Sequence, residues 1–272
     1  MWRHLFEIAK SNTDMRLAAM QIIRFAMSNL RFAHALRAHL CEDMCTAGDM
    51  IWEIDQGKDG KPFRCALPVY AEAGWPMNKI LQQAFVDAHG AEVCKTHLLL
   101  EMRITAGNTL SVSPAKATFS RFTDLLRGVM QLAPLSLPDE DVARMSTYSA
   151  RRLFPTVADV LQLDVNERNS LGNWKDNTSV RELMHVRYSA FRLQACGDVK
   201  RICVRALSHT AKHAQHSSIM RVSGARPHLP HIKKEIFTSH WGKGSEPLPP
   251  LEAFDENKEP SPPTPKRVRS GV

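Results

Sequence analysis

Apolar residues return at spacings of three and four along residues 16–40, at Met20, Ile23, Met27 and Leu30, the repeat that an amphipathic helix requires. Arg31 closes this stripe and opens the segment Arg31-Phe-Ala-His34-Ala-Leu36-Arg37, in which Leu36 and Leu40 continue the apolar face while Arg31 and His34 share the polar one. The period then drops to two: Met50, Trp52 and Ile54 alternate with polar residues, as do Phe63, Cys65, Leu67 and Val69. These runs predict two strands. Asp59-Gly60 between them predicts a tight hairpin, because glycine supplies the positive φ of a type I′ turn, and it sets Lys58 and Lys61 on either side of the tip.

Residues 76–88 predict a helix carrying Ile80, Leu81 and Phe85, and residues 96–102 form a short apolar segment without a decisive period, followed by a loop of Gly, Asn, Ser and Pro. After Pro114, the positions Phe119, Phe122, Leu126, Val129 and Leu132 predict another amphipathic helix, ended by Leu132-Ala-Pro-Leu-Ser-Leu-Pro138. Residues 147–163 are helical in pattern through Leu153, Val157 and Val160, with Pro155 expected in a first turn or at a kink. Asp164 and Glu167 have the spacing of a capping box for a short helix that Gly172 ends, leaving Trp174 in a loop. From Ser179 a helix carries Met184, Tyr188 and Phe191, and a basic amphipathic stretch follows over 199–207. Beyond about residue 215 the composition turns to His, Ser, Gly and Pro. A segment so poor in apolar surface does not offset its ordering entropy, so 216–272 is expected to be a disordered, Pro-rich, basic-ended tail.

The fold expected from these elements is α+β, mainly helical, with one small antiparallel sheet and a single folded domain over 1–215. A chain of 272 residues with 43% hydrophobic content buries one substantial core, not two large ones. Lys+Arg total 36 against 28 Asp+Glu, a formal charge of +8 with a pI near 9.3, which suits polyanionic partners as well as an ordinary basic surface. The six cysteines are too sparse for a disulfide scaffold and are read as reduced thiols in an intracellular protein. Cys41 and Cys45 stand one helical turn apart, but no matching histidine spacing completes a zinc set, and helix packing is the expected role. Neither a signal-peptide core nor a membrane-length apolar run is present in the sequence, so a soluble protein is expected. Lys266-Arg-Val-Arg269 fits a short nuclear-import signal, which points to a nuclear protein.

Three short signatures stand in order between residues 147 and 189: Tyr148-Ser-Ala-Arg151, Gly172-Asn-Trp174 and Val186-Arg-Tyr188-Ser189. Each residue alone has an ordinary role: Arg31 as a surface arginine, Trp174 as a packing anchor, Tyr188 as a core phenol, and the hairpin lysines as solubilising groups. Together and in order, these signatures and the upstream Arg31 segment resemble the tyrosine recombinase or phage-integrase family, especially the integrase-like sequences of eukaryotic mobile elements. The likeness covers about residues 15 to 210 and is most specific in Tyr-Ser-Ala-Arg-Arg-Leu-Phe-Pro-Thr-Val-Ala-Asp, Leu-Gly-Asn-Trp and Met-His-Val-Arg-Tyr-Ser.

The resemblance implies a catalytic domain that breaks and rejoins DNA through a 3′-phosphotyrosyl intermediate. Arg31 and Arg151 would hold the non-bridging oxygens, Trp174 would donate its indole N–H, Tyr188 would be the nucleophile, and Lys58, or else Lys61, would protonate the leaving 5′ oxygen. It implies double-stranded DNA as partner, a homo-oligomer assembled on it, and no metal, cofactor or small-molecule substrate. Tyr148 stands where the family's second box carries histidine, and a phenol is a poor base near neutral pH, so impaired turnover is expected. His34 stands where an acidic residue commonly orients the first arginine, and the gap from Trp174 to Tyr188 is longer than usual. The likeness starts almost at the first residue, so the family's N-terminal helical domain is expected to be missing and DNA binding to be weak and salt-sensitive. Three alternatives remain beside this reading: a degenerate integrase that holds DNA without cutting it, a type IB topoisomerase, and a helical interaction protein.

Overall fold

Every residue from 18 to 28 is buried, so the helix α2 (Arg16–Ser28) is enclosed on all sides rather than lying on a surface. This is seen in a computed structural model, which describes residues 1–57, 62–72, 74–105, 109–132, 137–172 and 190–213. The predicted stripe of Met20, Ile23 and Met27 is only one flank of α2. Ala18, Ala19, Ile22, Phe25 and Ala26 make the rest apolar as well, and a helix hydrophobic all round belongs in the core. Around it pack α1 (Trp2–Ser11), α4 (Met77–His89), α6 (Phe119–Gln131) and α8 (Thr147–Val160). Aromatic rings make the joints: Trp2 lies 5.8 Å from Phe154 of α8, and Phe25 lies 5.0 Å from Phe122 of α6.

The helix expected to run on to Leu40 stops at Asn29, which adopts left-handed geometry (φ 56°) as a C-cap. After a one-turn helix, α3 (Phe32–Ala35), the chain extends as β1 (Ala38–Leu40). β1 pairs antiparallel with β2 (Asp49–Ile54), which pairs with β3 (Phe63–Pro68), giving the order β1-β2-β3. The two strands read from the alternation are therefore present in register, Ile54 opposite Phe63, and a third joins them. Leu40 faces Trp52 across the pair, so its apolar character serves the sheet. The Asp59-Gly60 turn with Lys58 and Lys61 lies outside the described residues.

After α5 (Ala91–Thr96) comes a second sheet, β4 (Leu100–Ile104) paired with β5 (Leu110–Lys116), where the sequence suggested an undecided segment and a loop. β5 has only Leu110 and Val112 to mark its period, so pairing with β4 decides its conformation. Gln21 of α2 locks β4 in place: its amide accepts from Leu100 N at 2.9 Å and donates to Leu100 O at 2.8 Å, as a neighbouring strand would. The predicted helix after Pro114 is α6, though Phe119 is exposed, as is Ile80 on α4. In α8 the buried stripe is Thr147, Ala150, Phe154 and Ala158, offset from the expected Leu153, Val157 and Val160, and Pro155 lies inside the helix rather than in its first turn. Asp164 and Glu167 do form the reciprocal capping box of α9 (Val165–Gly172), at 3.0 and 2.8 Å. A short α7 (Asp139–Ala143) precedes α8, and α10 (Ala190–His213) closes the described chain, packing on β3, α8 and α9. The fold is thus α+β and mainly helical, with two small antiparallel sheets among the described residues rather than one. No described helix is long and apolar enough to cross a membrane. The helix read from Ser179 falls outside the described residues until residue 190, and so does the tail over 216–272.

α10 is fastened by a fully buried lysine. Lys200 Nζ donates to Ser28 O at 2.9 Å, to Ala66 O at 2.7 Å and to Cys65 Sγ at 3.0 Å, so all three ammonium hydrogens have acceptors. Cys65 and Cys196 titrate as a pair beside it. The thiol that remains protonated donates to its ionised partner and Lys200 adds its positive charge, so the first proton leaves below the ordinary thiol range and the second is held well above it. Burial opposes the Lys200 charge, but the two cysteines outweigh it and raise its pKa. An acid whose pKa is lowered by folding stabilises the fold above its unfolded pKa, and that stability is lost as pH falls through the folded value. Urea titrations are therefore expected to show wild type losing stability relative to Cys196→Ser as pH falls from the ordinary 9.0 toward the lowered pKa. Parallel curves for the two proteins would refute the shared thiolate.

Candidate functional site

The end of α2 is where the two arginine segments meet. A helix leaves its last carbonyls without intrahelical donors, and here cationic side chains supply them: Lys200 to Ser28 O, and Arg151 Nε to Asn29 O at 3.3 Å. Arg151 comes from the second turn of α8, 122 residues beyond Asn29 in sequence. Arg31 follows two residues after Asn29, in extended geometry (φ −65°, ψ 147°), and its carbonyl starts α3 by accepting from His34 N and Ala35 N at 2.9 Å. Arg31 is exposed and Arg151 half-buried. Burial lowers the Arg151 pKa, the nearby Arg31 charge lowers it further, and Tyr148 opposes both.

His34 belongs to the same field. Burial lowers its pKa, and Arg31, Arg151 and Arg37 each add to the effect, so the imidazole is neutral at pH 7. It does not supply the negative charge that an acidic residue would bring to Arg31. Its ring instead packs edge-on against Phe63 at 5.3 Å, which brings the start of β3 against α3. Arg37 Nη1 reaches Gln56 Oε1 at 3.3 Å on the other arm of the hairpin, and Lys116 Nζ of β5 donates to Leu36 O at 2.8 Å. Both described arms of the hairpin, and one end of the second sheet, therefore converge on the Arg31 segment.

Tyr148 and Arg151 share a face of α8, as their spacing requires, and Tyr148 is 54% exposed. The Arg152 guanidinium sits 4.8 Å from the Tyr148 ring centroid, one turn along the helix, which gives the phenol an outer wall of positive charge. Of the residues expected in the site, Arg31, Arg151 and Tyr148 are thus brought together, while Lys58, Trp174 and Tyr188 lie outside the described residues. Sequence reasoning missed Arg152 and Lys116. Arg152 was legible as the fourth residue after Tyr148 on one helix; Lys116 carried no signal, because its strand was not recognised.

Chemically, Arg31 and Arg151 stand near enough for one charge to lower the pKa of the other, a repulsion that a nearby anion would relieve. A phosphodiester has the charge and the acceptor oxygens for that position. In comparisons with protein-family models, curated proteins and solved structures, no match to this chain was found.

Proposed function

We propose that this chain is an integrase-like enzyme of the tyrosine recombinase type, which breaks and rejoins duplex DNA at a phosphate held by Arg31 and Arg151. The observation that carries the reading is the meeting of these two arginines at the C-terminal end of α2, within one electrostatic field that also takes in Tyr148 and Arg37. Part of the element order supports it: the first arginine is followed by an antiparallel sheet with its hairpin strands, as the resemblance implies, and the second arginine comes later on α8, after a further two-stranded sheet that the resemblance does not imply. In this reading the guanidiniums hold the non-bridging oxygens and Trp174 adds an indole N–H. The Tyr188 hydroxyl releases its proton to solvent water as its oxygen attacks phosphorus, a P–O bond to tyrosine forms, the bond to the 5′ oxygen breaks, and Lys58 delivers a proton to the leaving oxygen. Attack by a 5′ hydroxyl reverses these steps and reseals the strand without ATP.

A second reading, a DNA-holding relic without strand cleavage, is favoured by one observation. The second-box position is Tyr148, a phenol walled by Arg152, where a base near neutral pH is needed. Both readings are tested by incubating the chain with nicked suicide duplexes and looking for a covalent adduct. The expected adduct disappears in Tyr188→Phe and forms about 10²- to 10³-fold more slowly in Arg31→Ala and Arg151→Ala, with unchanged circular dichroism. DNA retention without an adduct selects the relic, and supercoil relaxation without strand exchange selects a topoisomerase. Absence of both adduct and retention overturns the assignment.

A further inference from the structure

We propose that His39, Cys41 and Glu53 form a binding site for a divalent metal of the zinc class, on the face of the three-stranded sheet away from the core. Their donor atoms all lie within 4.8 Å of one another, and Cys41 Sγ stands 3.9 Å from Glu53 Oε2. The sheet register produces this grouping. His39 of β1 is paired directly with Glu53 of β2, and Cys41 N–H donates to Ile51 O at 2.8 Å, which extends the pairing by two residues. Side chains two apart on a strand share a face, so His39 and Cys41 stand together over Glu53. With metal–ligand bonds of about 2.0–2.3 Å, tetrahedral donors stand roughly 3.3–3.8 Å apart, so about an ångström of side-chain motion closes the set.

The donor types decide the class of metal. Imidazole and thiolate select zinc-like ions over magnesium and calcium, which take oxygen donors. One thiolate and one carboxylate balance the 2+ charge, and three protein donors leave a fourth position for water. Two charged neighbours stand behind the ligands: Arg64 Nε donates to Glu53 Oε2 at 2.6 Å, and Asp55 Oδ1 lies 3.4 Å from His39 Nδ1. Such outer partners fix the orientation of ligating carboxylates and imidazoles. All three ligands are half-buried, so the site is held in place and still open to solvent. Cys45, the other thiol of the sequence pair, is not part of this group: its Sγ accepts from Ile51 N and donates to Cys41 O, each at 3.3 Å, although both cysteines border the small buried cluster of Ile51, Ala66 and Cys196. No complete ligand set is legible in the sequence, because Glu53 arrives across the β1–β2 pair and β1 (Ala38–Leu40) is too short for hydrophobic alternation to mark it. The site is independent of the DNA reading.

The test uses the full chain, stripped with chelator under reducing conditions and titrated with cobalt(II). The expected result is one cobalt per chain with a thiolate-to-cobalt charge-transfer band, displaced by one equivalent of zinc. The band is expected to vanish in Cys41→Ser and to persist in Cys45→Ser, and His39→Ala and Glu53→Gln each lower affinity at least about tenfold. X-ray absorption on the zinc-loaded wild type needs no variant and is expected to show one sulfur among nitrogen and oxygen donors. No charge-transfer band, a band that survives Cys41→Ser, or a shell with no sulfur or with two overturns the proposal.

Discussion

Replacing Lys200 with methionine is expected to cost about 3–5 kcal/mol of stability, a large share of the total for a domain of this kind. The side chain is fully buried, and its ammonium is the shared donor for Ser28 O, Ala66 O and Cys65 Sγ. Methionine fills much of the volume but leaves two carbonyls without that donor and a thiol pair without its counter-charge, and each orphaned buried acceptor costs roughly 1–3 kcal/mol. The loss is read from urea unfolding at pH 7.5. Adding Cys196→Ser to Lys200→Met should recover part of it, because the anion that lysine compensated is removed at the same time. A loss below about 1 kcal/mol would mean that the lysine is solvated and the described geometry wrong. The same variant loosens the end of α2, two residues after whose Asn29 cap Arg31 stands, so under the proposed function weaker DNA binding should accompany the stability loss.

Arg24→Ala is the second substitution with a large expected effect. Arg24 lies wholly in the core, donating Nε to Asn78 Oδ1 at 3.1 Å, Nη2 to Asn78 O at 2.6 Å and Nη1 to Gln82 Oε1 at 3.0 Å, with its guanidinium 5.7 Å from the Phe85 ring centroid. Asn78 in turn donates to Pro68 O at 2.7 Å, so one side chain ties α2 to α4 and to the end of β3. Burial lowers the Arg24 pKa to about 9, which leaves the group charged at pH 7 at a cost to folding. Two terms therefore oppose one another. Alanine opens a cavity and orphans the acceptors, for an expected loss of about 3–4 kcal/mol. Methionine orphans the same acceptors but keeps the packed stem and removes the buried charge, so Arg24→Met is expected to lose less than Arg24→Ala, by roughly 1–2 kcal/mol. Equal losses in the two variants, measured by thermal or urea unfolding, would show that cavity volume is unimportant there.

The contrast between Arg24 and Arg31 shows what the linear pattern conveys. Both lie within residues 16–40, whose spacing predicts amphipathic helix, and helical periodicity alone does not say which of the two is buried. Arg24 is enclosed because α4, α6 and α8 close around α2, whereas Arg31 is exposed because Asn29 turns the chain out of the helix. α2 is shorter than its pattern predicts for the same reason: the αL cap at Asn29 and the pairing of residues 38–40 with β2 override helical periodicity. β5 was missed because its polar outer face leaves too few apolar positions to set a period. By contrast, β2, β3, α4, α6 and the Asp164/Glu167 box were legible, since each depends on residues within one or two turns of its neighbours.

For the candidate sites the division is similar. Motif order points to Arg31, Tyr148 and Arg151, and their proximity comes from α8 packing on the end of α2. The Lys200 pair and the His39, Cys41 and Glu53 group had no sequence signal, since their members are brought together by strand register and helix docking.

By itself the sequence determined the chain's basic character, its main helices and hairpin strands, and the order of arginine, indole and phenol segments. All of these follow from composition and short-range periodicity. Only the tertiary structure decided which polar residues are buried, where α2 ends, that β1 joins the sheet, and that Asn29 accepts from Arg151. Those outcomes depend on hydrogen bonds and burial between segments far apart in the chain, and hydrophobic spacing carries no information about them.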